Sequence, residues 1–228
     1  MIGDGLSHVG FGALAIASAL GLAPLAVAVP VVVLAAVLLL RLSQNSKIKG
    51  DAAIAMISSS ALAIGVVVIS VTTGMNTEVS SYMFGSVLSL SRGDAVLSVI
   101  LSIAVLLAFT LLYPRIFAVT FDETFSRATG VRTDAYNTLI AVLTAVTVVL
   151  GMRMMGALLI SSLIIFPALS AMRVCKSFRA VVLCSAAISV VCFILGVLAS
   201  YFWETPTGAS VVIADLICFG LFSLLGKK

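Results

Sequence analysis

Asp4 and His8 stand four residues apart in the opening segment Gly3-Asp4-Gly5-Leu6-Ser7-His8. That spacing puts both side chains on one face of a helix. A carboxylate oxygen and an imidazole nitrogen converging there make a half-site for a first-row divalent metal. His8 is the one histidine of the chain. Two ligands fall short of a closed tetrahedral site, which fits a transient transport station better than a structural metal. The plainer reading is that Asp4 favours the positive end of the helix and His8 sits near an interface.

A second constellation is Phe121-Asp122-Glu123-Thr124-Phe125-Ser126-Arg127-Ala128-Thr129-Gly130-Val131. Asp122 suits the N-cap of a short helix, Arg127 its last turn and Gly130 the C′ position. Phe121, Phe125 and Ala128 then form a small apolar face. Such a face serves either as a docking surface for a soluble partner or as a connector lying among lipid headgroups. The segment Tyr201-Phe202-Trp203-Glu204-Thr205-Pro206-Thr207-Gly208 combines an interfacial aromatic belt with a turn that restarts a helix. In it Glu204 could greet an incoming cation. Asp215 follows Val-Val-Ile-Ala inside a long apolar run, where a carboxylate is usually functional or partnered. Glu204 and Asp215 are therefore candidate pathway residues.

Enzymatic signatures are absent. There is no G-x-x-x-x-G-K-[ST], so the chain does not itself cradle a nucleoside triphosphate, and no H-E-x-x-H or G-x-S-x-G. Cys175, Cys184, Cys192 and Cys218 show no C-x-x-C spacing and read as small core residues rather than a disulfide or metal site.

The elements that must position these residues follow from composition. The chain has 228 residues, 62% of them hydrophobic and 10% charged, with a mean hydropathy of +1.28. That apolar surplus exceeds what one water-facing globule hides, and it excludes a soluble enzyme, a disordered chain and a coiled coil. The runs are long and unbroken rather than alternating, so the expected fold is all-α, a polytopic transmembrane helical bundle. The runs predict about eight spans near residues 6–21, 24–40, 51–72, 95–113, 136–150, 154–172, 180–200 and 209–225, some short or broken. Small residues four apart, such as Ala61 with Gly65, Ser98 with Ser102 and Gly196 with Ser200, suit close helix packing. Ser58, Ser59 and Ser60 either join that packing or line a polar path.

Lys and Arg set the orientation. Alternate loops carry Arg41, Lys47 and Lys49, then Arg115, Arg127 and Arg132, then Arg173, Lys176 and Arg179, then Lys227 and Lys228, while the other loops hold only Arg92 and Arg153. This asymmetry places residues 41–50, 114–135, 173–179 and the C-terminus in the cytoplasm. The net charge of +4 is therefore topology rather than nucleic-acid binding. The start lacks the basic region and small-residue site of a cleavable signal peptide.

Five ordered segments, GDGLSH, Tyr82-Met83-Phe84-Gly85-Ser86, FDETFSRATGV, GMRMMGALLISSLIIFPALSA and FWETPTGA, resemble the permease subunits of bacterial zinc/manganese ABC importers over essentially the whole chain. The resemblance implies a single permease domain over 1–228 in the cytoplasmic (inner) membrane of a bacterium or archaeon, paired with a second permease copy. It further implies two cytoplasmic ABC ATPases and an external metal-binding protein as partners, and no permanently bound cofactor. Asp4 and His8 would contact the transported divalent metal, zinc or manganese and in some systems iron. Phe121, Asp122, Glu123, Thr124, Phe125, Arg127 and Gly130 would belong to the coupling helix, 121–131, that docks into the ATPase. The resemblance also implies a membrane helix ahead of GDGLSH, whereas this sequence opens at Met1 within that segment, so the family's N-terminal helix is expected to be lacking. An ion-gradient-driven secondary transporter or channel, with Asp4 and Asp215 as carriers, is the alternative reading, although no repeat relates the two halves. A non-transporting scaffold is a third.

Overall fold

The computed structural model describes residues 2–45, 50–72 and 92–225. Among the described residues the chain is helical and without strands: α1 (Ile2–Ala19), α2 (Pro24–Asn45), α3 (Gly50–Thr72), α4 (Arg92–Phe121), α5 (Glu123–Ala128), α6 (Thr133–Met155), α7 (Ala157–Val174), α8 (Phe178–Trp203) and α9 (Thr207–Leu225). Seven of these, α2 to α4 and α6 to α9, are long and apolar enough to cross a membrane. The protein is thus a multi-pass helical bundle, as the apolar runs require. The segment Tyr82–Ser86 and residues Lys47, Lys49, Lys227 and Lys228 lie outside the described residues.

The helices fall into two compact units, one formed by described residues up to Gly151 and the other from Met152 onward. In the first unit α1 packs against α2 and α3. Leu6, Ser7, Phe11, Ala13, Leu14, Ala15 and Ala17 of α1 are all buried. A helix apolar on every side belongs in the middle of a bundle, so the helix bearing Asp4 and His8 is a central one. Its approach to α3 depends on glycine. A Cβ on Gly12 would lie 2.7 Å from the Ala61 carbonyl oxygen, and one on Gly65 would lie 2.9 Å from the Phe11 ring. The chain leaves α1 through Gly21, whose φ of +66° suits the residue just past a helix, and Pro24 opens α2 where its missing N–H costs nothing.

In the second unit α7, α8 and α9 pack on one another. Ala171, Ile188 and Cys192 form the core, flanked by Val181, Cys184, Ala214, Cys218 and Phe222. A Cβ on Gly196 would sit 2.4 Å from the Val211 Cα, so α8 and α9 meet almost backbone to backbone. All four cysteines are free.

Several helix ends differ from the sequence reading. α4 runs on through Pro114 to Phe121 instead of ending near residue 113, because the following Ile116, Phe117 and Val119 continue the apolar pattern and one missing N–H does not stop a helix with so many other bonds. The break expected around Gly151–Arg153 falls at Gly156, whose φ of +86° is open to glycine alone. Arg153 is therefore the basic residue in the last turn of α6, and Arg92 opens α4. Ser58 and Ser60 donate to the Ile54 and Met56 carbonyls of their own helix at 2.6 and 2.8 Å, so these two hydroxyls are satisfied locally.

Candidate functional site

Asp4 and His8 lie in the first turns of α1, one turn apart, where side chains are neighbours about 5–6 Å apart at Cβ. Both are half-buried. The Asp4 carbonyl accepts a 2.7 Å hydrogen bond from Ser7 Oγ, which leaves the Asp4 side chain free of that task. A Cβ on Gly5, between them, would lie 2.6 Å from Ile54 Cγ2 and 2.9 Å from Ser58 Oγ of α3, so it fits only if those side chains shift. His8 Nδ1 is buried and meets no hydrogen-bond partner among the described residues. In the tautomer with its proton on Nε2, that nitrogen presents a lone pair. No three His, Cys, Asp or Glu side chains converge as a metal set among the described residues. The pair is accordingly a two-donor half-site.

The segment after α4 is built by its own caps. Asp122 is extended, with φ −145° and ψ 93°, and its Oδ1 accepts the Phe125 N–H at 2.8 Å. Six residues of α5 follow, and the chain leaves through Thr129 and Gly130, the latter at φ +85°. The Gly130 and Val131 amides return to the Arg127 and Ser126 carbonyls at 3.1 and 3.0 Å. Arg127 ties the turn to α6. Its Nε donates to Thr133 Oγ1 at 3.1 Å and its Nη2 to Glu123 Oε1 and Asp134 Oδ1 at 3.2 and 3.0 Å. Arg115 Nη1 donates to the Tyr136 hydroxyl at 2.7 Å, fixing the end of α4 to the start of α6. Ser126 is buried beneath the helix while Phe121 and Phe125 are 82% and 66% exposed. Thr124 is also exposed. A rigid turn with two bare aromatic rings is thereby presented.

Glu204 and Asp215 belong to the second unit. Glu204 caps α8 in the left-handed region, φ 50° and ψ 37°, beside exposed Tyr201, Phe202 and Trp203. The turn is stitched by hydroxyls: Ser200 Oγ donates to the Thr205 carbonyl at 2.6 Å, and Thr205 Oγ1 meets Ser210 Oγ at 2.7 Å. Asp215, two turns into α9, is fully buried and accepts a 2.7 Å hydrogen bond from Ser162 Oγ of α7. Its Oδ1 is also buried and has no hydrogen-bond partner among the described residues. Sequence reading did not pick out Ser162, Thr133 or Asp134. Only the Arg127–Asp134 charge pair across the Gly130 turn left a signal, seven residues apart.

Residues 1–226 match the family described as ABC 3 transport family. The chain is 29% identical over 228 residues to the manganese import system permease protein ScaB of Streptococcus gordonii, covering 100% of this chain and 82% of the relative. It is 28% identical over 219 residues to the high-affinity zinc uptake system membrane protein ZnuB of Haemophilus influenzae, covering 96% and 84%. Among solved structures, PsaBC from Streptococcus pneumoniae in complex with Fab superposes with a TM-score of 0.84 at 28% identity, over 96% of this chain and 79% of that one.

Proposed function

The chain belongs to the ABC 3 transport family, and from that premise we propose that it is the membrane-spanning permease subunit of an importer for divalent metal ions, zinc or manganese. The observation that carries this reading beyond family membership is the Asp4–His8 pair. It combines a carboxylate with a buried, unpartnered imidazole nitrogen on the most enclosed helix of its unit. Oxygen plus nitrogen donors suit zinc, manganese and ferrous iron, and a two-donor site releases what it binds.

In this reading residues 1–228 act as one permease domain, paired with a second copy in the cytoplasmic membrane. A separate ATPase energises it and an external binding protein supplies the ion. The exposed rings of Phe121, at the end of α4, and Phe125, on the capped α5, form the face that meets the ATPase, with Asp122, Glu123, Thr124, Arg127 and Gly130 holding its shape. ATP-driven closure of the ATPases would press on this turn and bias the bundle between outward and inward access. Glu204 at the outer turn and Asp215 within α9 would stand along the ion's route. The Arg127 links to Thr133 and Asp134 support a mechanical role for the turn, since force on α5 passes directly into α6.

The test is uptake of manganese and zinc by cells expressing this chain with and without a cognate ATPase and binding protein. Uptake that requires the ATPase supports the reading. Uptake that proceeds without it, driven by an ion gradient, overturns it in favour of a secondary transporter.

A further inference from the structure

The turn between α7 and α8 concentrates positive charge. Arg173 stands in the last turn of α7, Lys176 in the connection and Arg179 in the first turn of α8, and no Asp or Glu occurs between Asp134 and Glu204. All three cations are exposed. Each lies three residues from the next, so the chain itself holds neighbouring Cα atoms within about 11 Å of one another. Among the described residues neither Arg173 nor Lys176 makes an ion pair. The turn after α4 differs, because there Arg127 is met by Glu123 and Asp134 at 3.2 and 3.0 Å. The backbone adds to the positive field. Cys175 and Ser177 are extended, with ψ of 138° and 147°, and Ser177 Oγ accepts the Ala180 N–H at 3.3 Å. No acidic side chain occupies the first turn of α8, where the helix dipole favours an anion and opposes Arg179. That placement costs stability unless an anion lies nearby. Apolar side chains flank the cations in sequence: Met172, Val174 and Leu183 are 62%, 50% and 72% exposed.

We propose that the α7–α8 turn, through Arg173, Lys176 and Arg179, binds the phosphate headgroups of anionic phospholipids in the cytoplasmic leaflet. Continuity and charge select this occupant. α7 and α8 are each long and apolar enough to cross a membrane, so the turn that joins them meets the headgroup layer. Lipid phosphate supplies there the negative charge that the neighbouring sequence lacks. Cations just cytoplasmic of a membrane helix are drawn to an anionic leaflet, and salt screens the attraction. Long Arg and Lys stems lie along the apolar flank while their charged heads reach the phosphates. The proposal rests on the multi-pass topology and the orientation set by Lys and Arg, not on metal import. Its test reads lipid contact rather than uptake, so either reading can fail alone.

Trp203 is the one tryptophan of the chain, so W203F combined with F178W moves the indole into the turn. The purified full chain carrying this pair is reconstituted into phosphatidylcholine vesicles, with a minor fraction of either brominated phosphatidylglycerol or brominated phosphatidylcholine. Bromine quenches the indole when its lipid is the neighbour. At equal mole fraction the brominated phosphatidylglycerol is expected to quench at least about twofold more strongly. The preference should shrink in high salt and vanish on adding R173Q, K176Q and R179Q together. If F178W lowers the helical circular dichroism, spin-labelled phosphatidylglycerol and phosphatidylcholine around the parental chain replace the quenching. The immobilised fraction should then be larger for phosphatidylglycerol, and equal for both lipids around the triple glutamine variant. Three results overturn the proposal. One is equal contact with both lipids in the parental chain. Another is a preference that survives the triple variant, which, with weaker binding of the ATPase subunit, assigns the cations to a protein partner. The third is loss of the preference to inorganic phosphate but not to chloride at matched ionic strength, which marks a free-phosphate site.

Discussion

Ser162 Oγ and Asp215 Oδ2 are joined by a 2.7 Å hydrogen bond between helices α7 and α9, across 53 positions of sequence. Both residues are buried. S162A removes the donor and leaves the carboxyl with neither oxygen bonded through Ser162. The expected cost is about 1 kcal/mol, read as a lower thermal midpoint of the detergent-solubilised protein. S162T, which keeps a hydroxyl, should lose less; equal losses would assign the effect to packing.

Gly196 should tolerate a side chain far less than Gly220. A Cβ on Gly196 meets the Val211 Cα at 2.4 Å and its backbone nitrogen at 2.7 Å, and backbone atoms do not move aside cheaply. G196A is expected to destabilise by about 1–3 kcal/mol. G220A, with nothing within 4 Å of the added methyl, should be neutral or stabilising by up to about 1 kcal/mol. A thermal melt of both variants in the same detergent checks the contrast.

The short helix α5 depends on its cap. D122A loses the 2.8 Å bond from the Phe125 N–H, worth about 1 kcal/mol, which is large for a six-residue helix. Hydrogen exchange across residues 123–128 should accelerate in D122A and stay near the parental rate in D122S. The overall melting temperature should barely move, because the turn is solvent-facing.

Arg127 separates local shape from global stability. Its ion pairs with Glu123 and Asp134 are largely exposed, and exposed pairs contribute at most about 1 kcal/mol each. R127A should therefore leave the thermal midpoint nearly unchanged while loosening the link from α5 to α6. If the turn transmits force, ATP-dependent metal uptake falls several-fold in R127A at equal protein level. Unchanged uptake would remove the turn from the transmission route.

Much of the fold is written in local sequence, because lipid demands long apolar runs and each run declares itself. The caps of α5 were equally legible, since Asp122 and Gly130 act on their immediate neighbours. Helix ends were less so. Whether Pro114 or Gly156 stops a helix depends on how many neighbouring bonds survive, and the apolar pattern around Pro114 carries the helix through. Asp215 announced itself as a carboxylate in an apolar run, yet Ser162 did not, because a partner on another helix is set by packing rather than by spacing. The close approach of Gly196 to Val211 was visible only as a small residue with an unnamed neighbour. Asp4 and His8 were placed on one helical face by their spacing alone, and α1 carries both, but the enclosure of that helix came from its packing against α2 and α3.

The most direct test of the account replaces Asp4 and His8 with alanine, singly and together, and measures manganese and zinc uptake in cells that also express the ATPase and binding protein. The account predicts that each single variant loses most uptake and the double variant nearly all of it, at unchanged protein level in the membrane. Uptake at the parental rate in the folded, membrane-inserted double variant would contradict it.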